Sequence, residues 1–149
     1  MKDKVKILFI CHGNICRSPM AEFVMKDMVK KAKLEWKFEI ASAATSTEEI
    51  GNPVHWGTRE KLSAAGISCK GKTARQMTKR DYAEYDLLIG MDRANIRNMN
   101  RIAGGDLDGK IRMLLDREVA DPWYTGNFDA TWRDVVEGCT ALLDELHQQ

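Results

Sequence analysis

Residues Cys11 to Ser18 read Cys-His-Gly-Asn-Ile-Cys-Arg-Ser and follow an apolar run, Val5 to Ile10. Cys11 and Arg17 bracket a short Gly/Asn turn, which makes a compact anion cradle. The intervening residues, His12 to Cys16, are enough to wrap the backbone around one phosphate-sized group. Backbone N–H groups of such a loop converge and favour negative charge. A helix starting just after it adds the positive end of its dipole. Arg17 can then hold two oxygens of a tetrahedral anion in its planar fork. The same fields favour thiolate over thiol for a cysteine placed there. One segment thus carries both a phosphate site and a nucleophile. The plainer alternative is a buried cysteine at a strand end beside a surface arginine, and the loop chemistry argues against it.

The elements that must hold this cradle are legible around it. Val5–Ile10 is short, apolar but for Lys6 and rich in branched residues, as a buried parallel strand is. Ser18-Pro19 suggests an N-cap with proline at the first helical position. Ala21, Val24, Met28 and Ala32 repeat at helical spacing and carry that helix to about Lys33. Trp36–Ala41 alternates and predicts a second strand, with a loop over 42–53. A helix from about Val54 to Ala65 stops at Gly66. Tyr85–Gly90 is a third strand, Asp92–Ile102 a helix ended by Gly104-Gly105, and Ile111–Leu115 a fourth strand. Phe128, Trp132, Val135, Val136, Cys139, Leu142, Leu143 and Leu146 form the apolar face of a last helix. Strands separated by helices imply a parallel α/β sheet with ligands at the carboxyl ends of its strands. The cradle stands after the first strand, where that rule places it.

Composition narrows the partners. At 149 residues the chain is expected to be a single domain, residues 1–149. Apolar residues make up 44%, charged residues 30%, and the net charge is +1. No bulk attraction to nucleic acid or membrane follows from that balance, so any positive potential must be local. No apolar run approaches the roughly 18 residues of a membrane span. The six apolar-rich residues before Cys11 are too few for a secretory signal. Four cysteines (Cys11, Cys16, Cys69, Cys139) without such a signal suggest free thiols in a reducing cytoplasm. No His/Cys cluster has zinc spacing.

Near the end of the chain stands Asp121-Pro-Trp-Tyr124. Alone, Asp before Pro reads as a turn starter. Trp123 and Tyr124 read equally as packing or as walls for an aromatic ligand. Together with Cys11-His-Gly-Asn-Ile-Cys-Arg-Ser-Pro19 and Met20-Ala-Glu22, however, the segment resembles the low-molecular-weight protein tyrosine phosphatases. The likeness extends to Ser42-Ala-Ala-Thr-Ser46, Ile50-Gly-Asn-Pro53, Ala74-Arg-Gln76 and Met91-Asp92, so it spans nearly the whole chain in order.

That resemblance implies a three-layer α/β sandwich with a small, mainly four-stranded parallel sheet, helices on both faces and the phosphate loop after the first strand. It implies catalysis by Cys11, Arg17 and Asp121 through a phosphocysteine, with no cofactor and no metal. His12, Gly13, Asn14, Ile15, Cys16 and Ser18 complete the phosphate-binding loop. Ser18 donates a hydrogen bond to the Cys11 sulfur, and Asn14 adopts the left-handed conformation that Asn tolerates. Trp123, Tyr124 and Glu48 border the substrate cleft, while Ser42 and Lys72 support the cradle. Cys16 is implied as a disulfide partner shielding Cys11 from over-oxidation. The expected partners are a phosphotyrosine-containing protein or a small aryl phosphate, with inorganic phosphate as product. The protein is expected to act as a monomer or weak dimer.

Departures from the family pattern bear on the details. Related enzymes acting on phosphoarginine carry a threonine where this chain has Ile15, and the branched apolar side chain favours phosphotyrosine. A histidine is common where this chain has Lys72; an ammonium could serve Asn14 similarly, but a solvated surface lysine is the reading favoured. Thr47-Glu48-Glu49 makes an acidic rim in place of the usual aromatic. His12 reads as an exposed turn residue at that rim rather than a base, and His55 and His147 as surface residues. Cys69 and Cys139 are expected to be inert.

Three other functions compete with this one. Gly66-Ile-Ser-Cys-Lys-Gly-Lys-Thr73 satisfies a nucleotide-binding loop pattern, but it follows a helix rather than a strand. Arsenate reductase on the same scaffold needs further redox cysteines, and none lies between residues 74 and 138. A non-catalytic phosphotyrosine-binding module would not need the full set of catalytic side chains.

Overall fold

The computed structural model describes residues 4–147. Four parallel strands form one sheet in the order β2-β1-β3-β4, with β1 at Val5–Cys11, β2 at Phe38–Ala44, β3 at Leu87–Gly90 and β4 at Ile111–Met113. Six helices connect and follow them: α1 (Arg17–Lys31), α2 (Trp56–Ala64), α3 (Lys79–Glu84), α4 (Arg93–Ala103), α5 (Pro122–Thr125) and α6 (Phe128–His147). The α/β expectation holds, with helices on both faces of the sheet.

The strand β1 shows why its sequence is apolar from Ile7 onward. Ile7, Phe9 and Cys11 pack into one cluster with Met20, Val24 and Met25 of α1 and Val135, Cys139 and Leu142 of α6. Leu8 and Ile10 point the other way, toward Leu88, Met99 and Ala103. A strand buried on both faces keeps period-two alternation but has no polar side. Burying a side chain such as Phe9 stabilises the fold by roughly 1.5–3 kcal/mol.

Several boundaries differ from the expectation. The second strand is Phe38–Ala44 rather than Trp36–Ala41, in register from Val5↔Phe38 to Cys11↔Ala44. Its end carries Ser42 into the sheet, because β1 needs a partner along its whole length. α1 stops at Lys31, two residues early, and Lys33 takes a left-handed φ of 60°. α3 is a helix the periodicity does not predict, although Thr78 and Asp81 make a reciprocal capping box at its start. Nor does periodicity predict α5, since a single turn has too few residues to show it. The strand order reverses direction about β1 and β3, and the cradle opens at that switch point.

Candidate active site

Cys11 ends β1, the loop turns through residues 12–16, and α1 begins at Arg17. Asn14 takes φ 59°, the left-handed conformation that lets the loop curl back on itself. Three donors then converge on the Cys11 Sγ. The amide of Asn14 lies 3.3 Å away, the amide of Ser18 3.4 Å and the Ser18 Oγ 3.1 Å. The expectation that Ser18 caps the helix, with Pro19 at the first position, is corrected. The helix starts at Arg17 with no side-chain cap, because the Ser18 hydroxyl is already engaged by the sulfur and by Asn14.

A buried relay fixes where that hydroxyl proton goes. The Arg75 amide donates to Asn14 Oδ1 at 3.3 Å, which orients the side-chain amide. Asn14 Nδ2 then donates to Ser18 Oγ at 2.8 Å and to Ser42 Oγ at 2.9 Å. With Asn14 donating to its oxygen, Ser18 keeps its single proton free for the sulfur whenever Cys11 is a thiolate. Ser42 directs its own to Glu22 Oε1, 2.5 Å away. Asn14, Ser18, Ser42 and Glu22 are all buried, so each partner removed would leave an unsatisfied group costing about 1–3 kcal/mol.

Arg17 is almost wholly buried and spans two carboxylates. Nη1 donates to Asp92 Oδ2 at 2.9 Å and to the Val119 carbonyl at 3.2 Å, while Nη2 lies 3.3 Å from Asp121 Oδ2. Burial works against its charge, but the anionic neighbours Cys11, Asp121 and Asp92 outweigh it and raise its pKa. Asp121 is the N-cap of α5, where Oδ1 accepts from the Trp123 amide at 3.0 Å. Cys11, His12, Gly13, Ile15, Cys16, Arg17, Glu48, Glu49, Asp121, Trp123 and Tyr124 line one cleft of about 200 Å³. Residues far apart in sequence thus face one phosphate-sized space, with a thiol at its base and an aspartate and two aromatics above.

The sequence profile of the low molecular weight phosphotyrosine protein phosphatases matches residues 6–149. The chain belongs to that family. It is a protein-tyrosine-phosphatase, a hydrolase. A Bacillus subtilis low molecular weight protein-tyrosine-phosphatase, YfkJ, is 40% identical over 97% of both chains. The crystal structure of YfkJ superposes with a TM-score of 0.95, covering 99% of this chain and 97% of that one. The Gallus gallus low molecular weight phosphotyrosine protein phosphatase is 39% identical over 95% of each. The crystal structure of a drosophila arginine phosphatase, at 25% identity and a TM-score of 0.87, covers 95% of this chain and 98% of that one.

Around this phosphatase cradle, two expectations are corrected. Lys72 is not a solvated surface lysine. Its Nζ donates to the Ser42 carbonyl at 2.9 Å and lies 3.6 Å from Glu22 Oε1. Burial lowers its pKa, and Glu22 partly restores it. Its link to Asn14 runs through Ser42 rather than by a direct bond. His55, expected at the surface, is half-buried and caps α2, accepting from the Gly57 amide at 3.1 Å. It stacks on Phe128 with ring centroids 5.3 Å apart.

The other predicted site residues take plain positions. His12 is exposed and pairs with Glu48. Cys16 is largely buried at the edge of the cleft as the N-cap residue of α1, and its thiol is pushed up to about 12 by burial and by the negative charges of Cys11 and Asp121. Cys139 is fully buried on the apolar face of α6, and Cys69 is partly buried. The Gly66–Thr73 segment lies in turns after α2 and opens no helix. Sequence reasoning missed Glu22 and Asp92 as parts of the site, although both stand inside motifs that carried the resemblance. No helix among the described residues is long and apolar enough to cross a membrane.

Proposed function

We propose that phosphotyrosine hydrolysis runs in two steps on the Cys11 cradle. The observation that carries this is the convergence of three donors on the Cys11 sulfur in a cleft shared with Arg17 and Asp121. In the first step the Cys11 thiolate attacks phosphorus, an S–P bond forms and the P–O bond to the tyrosine ring breaks. Asp121, as the acid, gives its proton to the departing phenolate oxygen. Arg17 and the loop amides hold the equatorial oxygens throughout. In the second step Asp121 takes a proton from water as its oxygen attacks phosphorus, the S–P bond breaks and inorganic phosphate leaves. Ser18, its hydroxyl proton turned to the sulfur by Asn14, stabilises the thiolate both as nucleophile and as leaving group.

Trp123 and Tyr124 flank the phenyl ring, and both are exposed enough to receive it. Ile15 lines the cleft and crowds a guanidinium-linked phosphate, which favours phosphotyrosine over phosphoarginine. Peroxide oxidises the Cys11 thiolate to a sulfenic acid, which condenses with the Cys16 thiol to a disulfide and water. Residues 1–149 act as one domain, in the cytoplasm, as a monomer or weak dimer. The substrate is a phosphotyrosine-bearing protein or small aryl phosphate rather than nucleic acid or membrane.

The test compares phosphotyrosine, phosphoserine and phosphoarginine peptides in EDTA, with Cys11→Ser alongside. Release from phosphotyrosine alone, lost in the variant, supports the reading. Preference for phosphoarginine would keep the cradle and overturn the role of Ile15. Undiminished turnover in Cys11→Ser would overturn the mechanism.

A further inference from the structure

Beyond the cleft the surface continues as an aromatic ledge. Trp123, a wall of the cleft, meets His55 edge-on with ring centroids 6.4 Å apart. His55 stacks on Trp56 at 5.7 Å and on Phe128 at 5.3 Å. Trp56 leaves 60% of its surface exposed and Trp123 65%, a large apolar area for a folded surface. The ledge is tied to the phosphate loop by two bonds from the start of α2. The His55 amide donates to the Ile15 carbonyl at 2.8 Å, and the Thr58 hydroxyl donates to the Cys16 carbonyl at 3.2 Å.

Gly57 makes the stack possible. A Cβ there would stand 2.4 Å from the Phe128 ring, so only glycine lets α6 bring Phe128 against α2. Trp56 and Phe128 floor an open groove rimmed by Glu60, Lys61 and Asp129. Lys61 and Asp129 pair with each other, so two of the rim charges are already matched and the floor remains apolar. No step of the phosphoryl transfer uses His55, Trp56 or Phe128.

We infer that the His55–Trp56–Phe128 ledge is a second substrate subsite, which takes a bulky apolar side chain of the phosphoprotein near its phosphotyrosine. The inference rests on the phosphotyrosine reading of the cleft. It commits to the substrate as occupant because the ledge is continuous with the cleft through Trp123. The ring-to-ring steps from Trp123 to His55 and on to Trp56 match the rise of an extended peptide, about 3.3 Å per residue, over roughly two to four residues. An aromatic or branched aliphatic residue at that distance would stack on Trp56 and Phe128 while the phosphotyrosine occupies the cradle. Glu48 and Glu49, which line the cleft itself, add a preference for basic residues beside the phosphotyrosine.

The experiment uses paired phosphotyrosine peptides that differ only in Leu or Gly placed two to four residues from the phosphotyrosine, on either side. It measures kcat and KM with the full chain, Trp56→Ala and Trp56→Phe, and a small aryl phosphate serves as the reference for the cleft. The expected result is about a tenfold lower KM for one Leu peptide, erased by Trp56→Ala and kept by Trp56→Phe, with kcat little changed. Equal KM values for all peptides, or a preference that survives Trp56→Ala, would overturn the subsite. Concentration-dependent loss of activity, relieved together with dimerisation by Trp56→Ala in sedimentation, would assign the ledge to a second copy of the chain and overturn it as well. No hydrolysis of the aryl phosphate would instead sink the phosphatase reading of the cleft, and the subsite with it.

Discussion

Arg17 Nη1 donates to Asp92 Oδ2 across 2.9 Å, joining the first turn of α1 to the N-cap of α4. The same carboxylate receives the Asn95 amide through its other oxygen at 2.7 Å. One aspartate therefore caps a helix and holds the guanidinium that faces the cleft. Asp92→Ala should lose both. Loss of the cap costs about 0.5–2 kcal/mol. A displaced guanidinium should lower kcat/KM by about 10- to 100-fold. Asp92→Asn keeps the capping oxygen but removes the charge that offsets the burial of Arg17, so it should recover only the cap's share of the lost stability while kcat/KM still falls. Parallel thermal melts and kinetics on one aryl phosphate distinguish the two roles, and equal activity in all three proteins would remove Asp92 from the site.

Asp121 carries two duties that a single substitution separates. Asparagine caps a helix as well as aspartate does, so Asp121→Asn should keep the bond to the Trp123 amide and lose, in stability, only the charge that faces Arg17. It has no proton to give a leaving phenolate. Turnover of phosphotyrosine should fall by roughly 10²–10⁴. The loss should shrink for aryl phosphates whose phenols leave without help. A uniform loss across leaving groups would argue against Asp121 as the acid.

The cysteines should differ sharply toward alkylation. Cys16 is held near 12 by burial and by the negative charges of Cys11 and Asp121, and burial pushes Cys139 higher still. Brief treatment with iodoacetamide at pH 7 should therefore label Cys11 and spare both of them. Inorganic phosphate in the cleft should slow the labelling. Peptide mapping by mass spectrometry reads the sites directly, and first labelling at Cys16 would contradict this assignment.

Stability should depend on acid through Asp106. Burial pushes its pKa up, but the Tyr82 hydroxyl at 2.7 Å and the amides of Lys110 and Ile111 at 2.7 and 3.2 Å outweigh that and bring it below 3.8. The unfolded chain then binds the proton more readily than the folded one. The stabilisation is present above pH 3.8 and fades as pH falls through the lower folded value. Asp106→Asn should cost roughly 1 kcal/mol at neutral pH. Urea titrations of both proteins should show that gap closing below pH 4 or so. A gap independent of pH would show that the carboxylate charge is not what matters.

Some elements are legible in the chain because local patterns and tertiary demands agree. β1 is apolar at every position from Ile7 to Ile10, as burial on both faces requires. α6 repeats its apolar residues over twenty positions, long enough for the period to show. Others are hidden for identifiable reasons. The end of β2, Ser42-Ala-Ala, lacks strong strand formers and is drawn into the sheet by pairing with β1. Glu22 reads as a polar residue of a surface helix, yet it is buried because Ser42, Lys26 and Lys72 surround it. Lys72 could not be told from a solvated lysine, since its partners lie thirty and more residues away.

The chemistry itself is a property of the sequence. The spacing of Cys11 and Arg17, the left-handed Asn14 between them and the Ser18 that follows are local, and a loop of this length has few ways to close around a phosphate. What surrounds that loop is not local. Only the parallel register of β1 with β2 and β3, and of β3 with β4, brings Ser42, Asp92 and Asp121 to one end of the sheet, and only the packing of α6 on α2 lays Phe128 against His55 and Trp56. Hydrogen-bond direction and aromatic stacking depend on distances of a few ångströms between residues far apart in the chain. Short-range patterns therefore specify the nucleophile and its cradle, while tertiary packing decides how the proton on Ser18 is aimed, how Arg17 is held and where a bound phosphoprotein can rest.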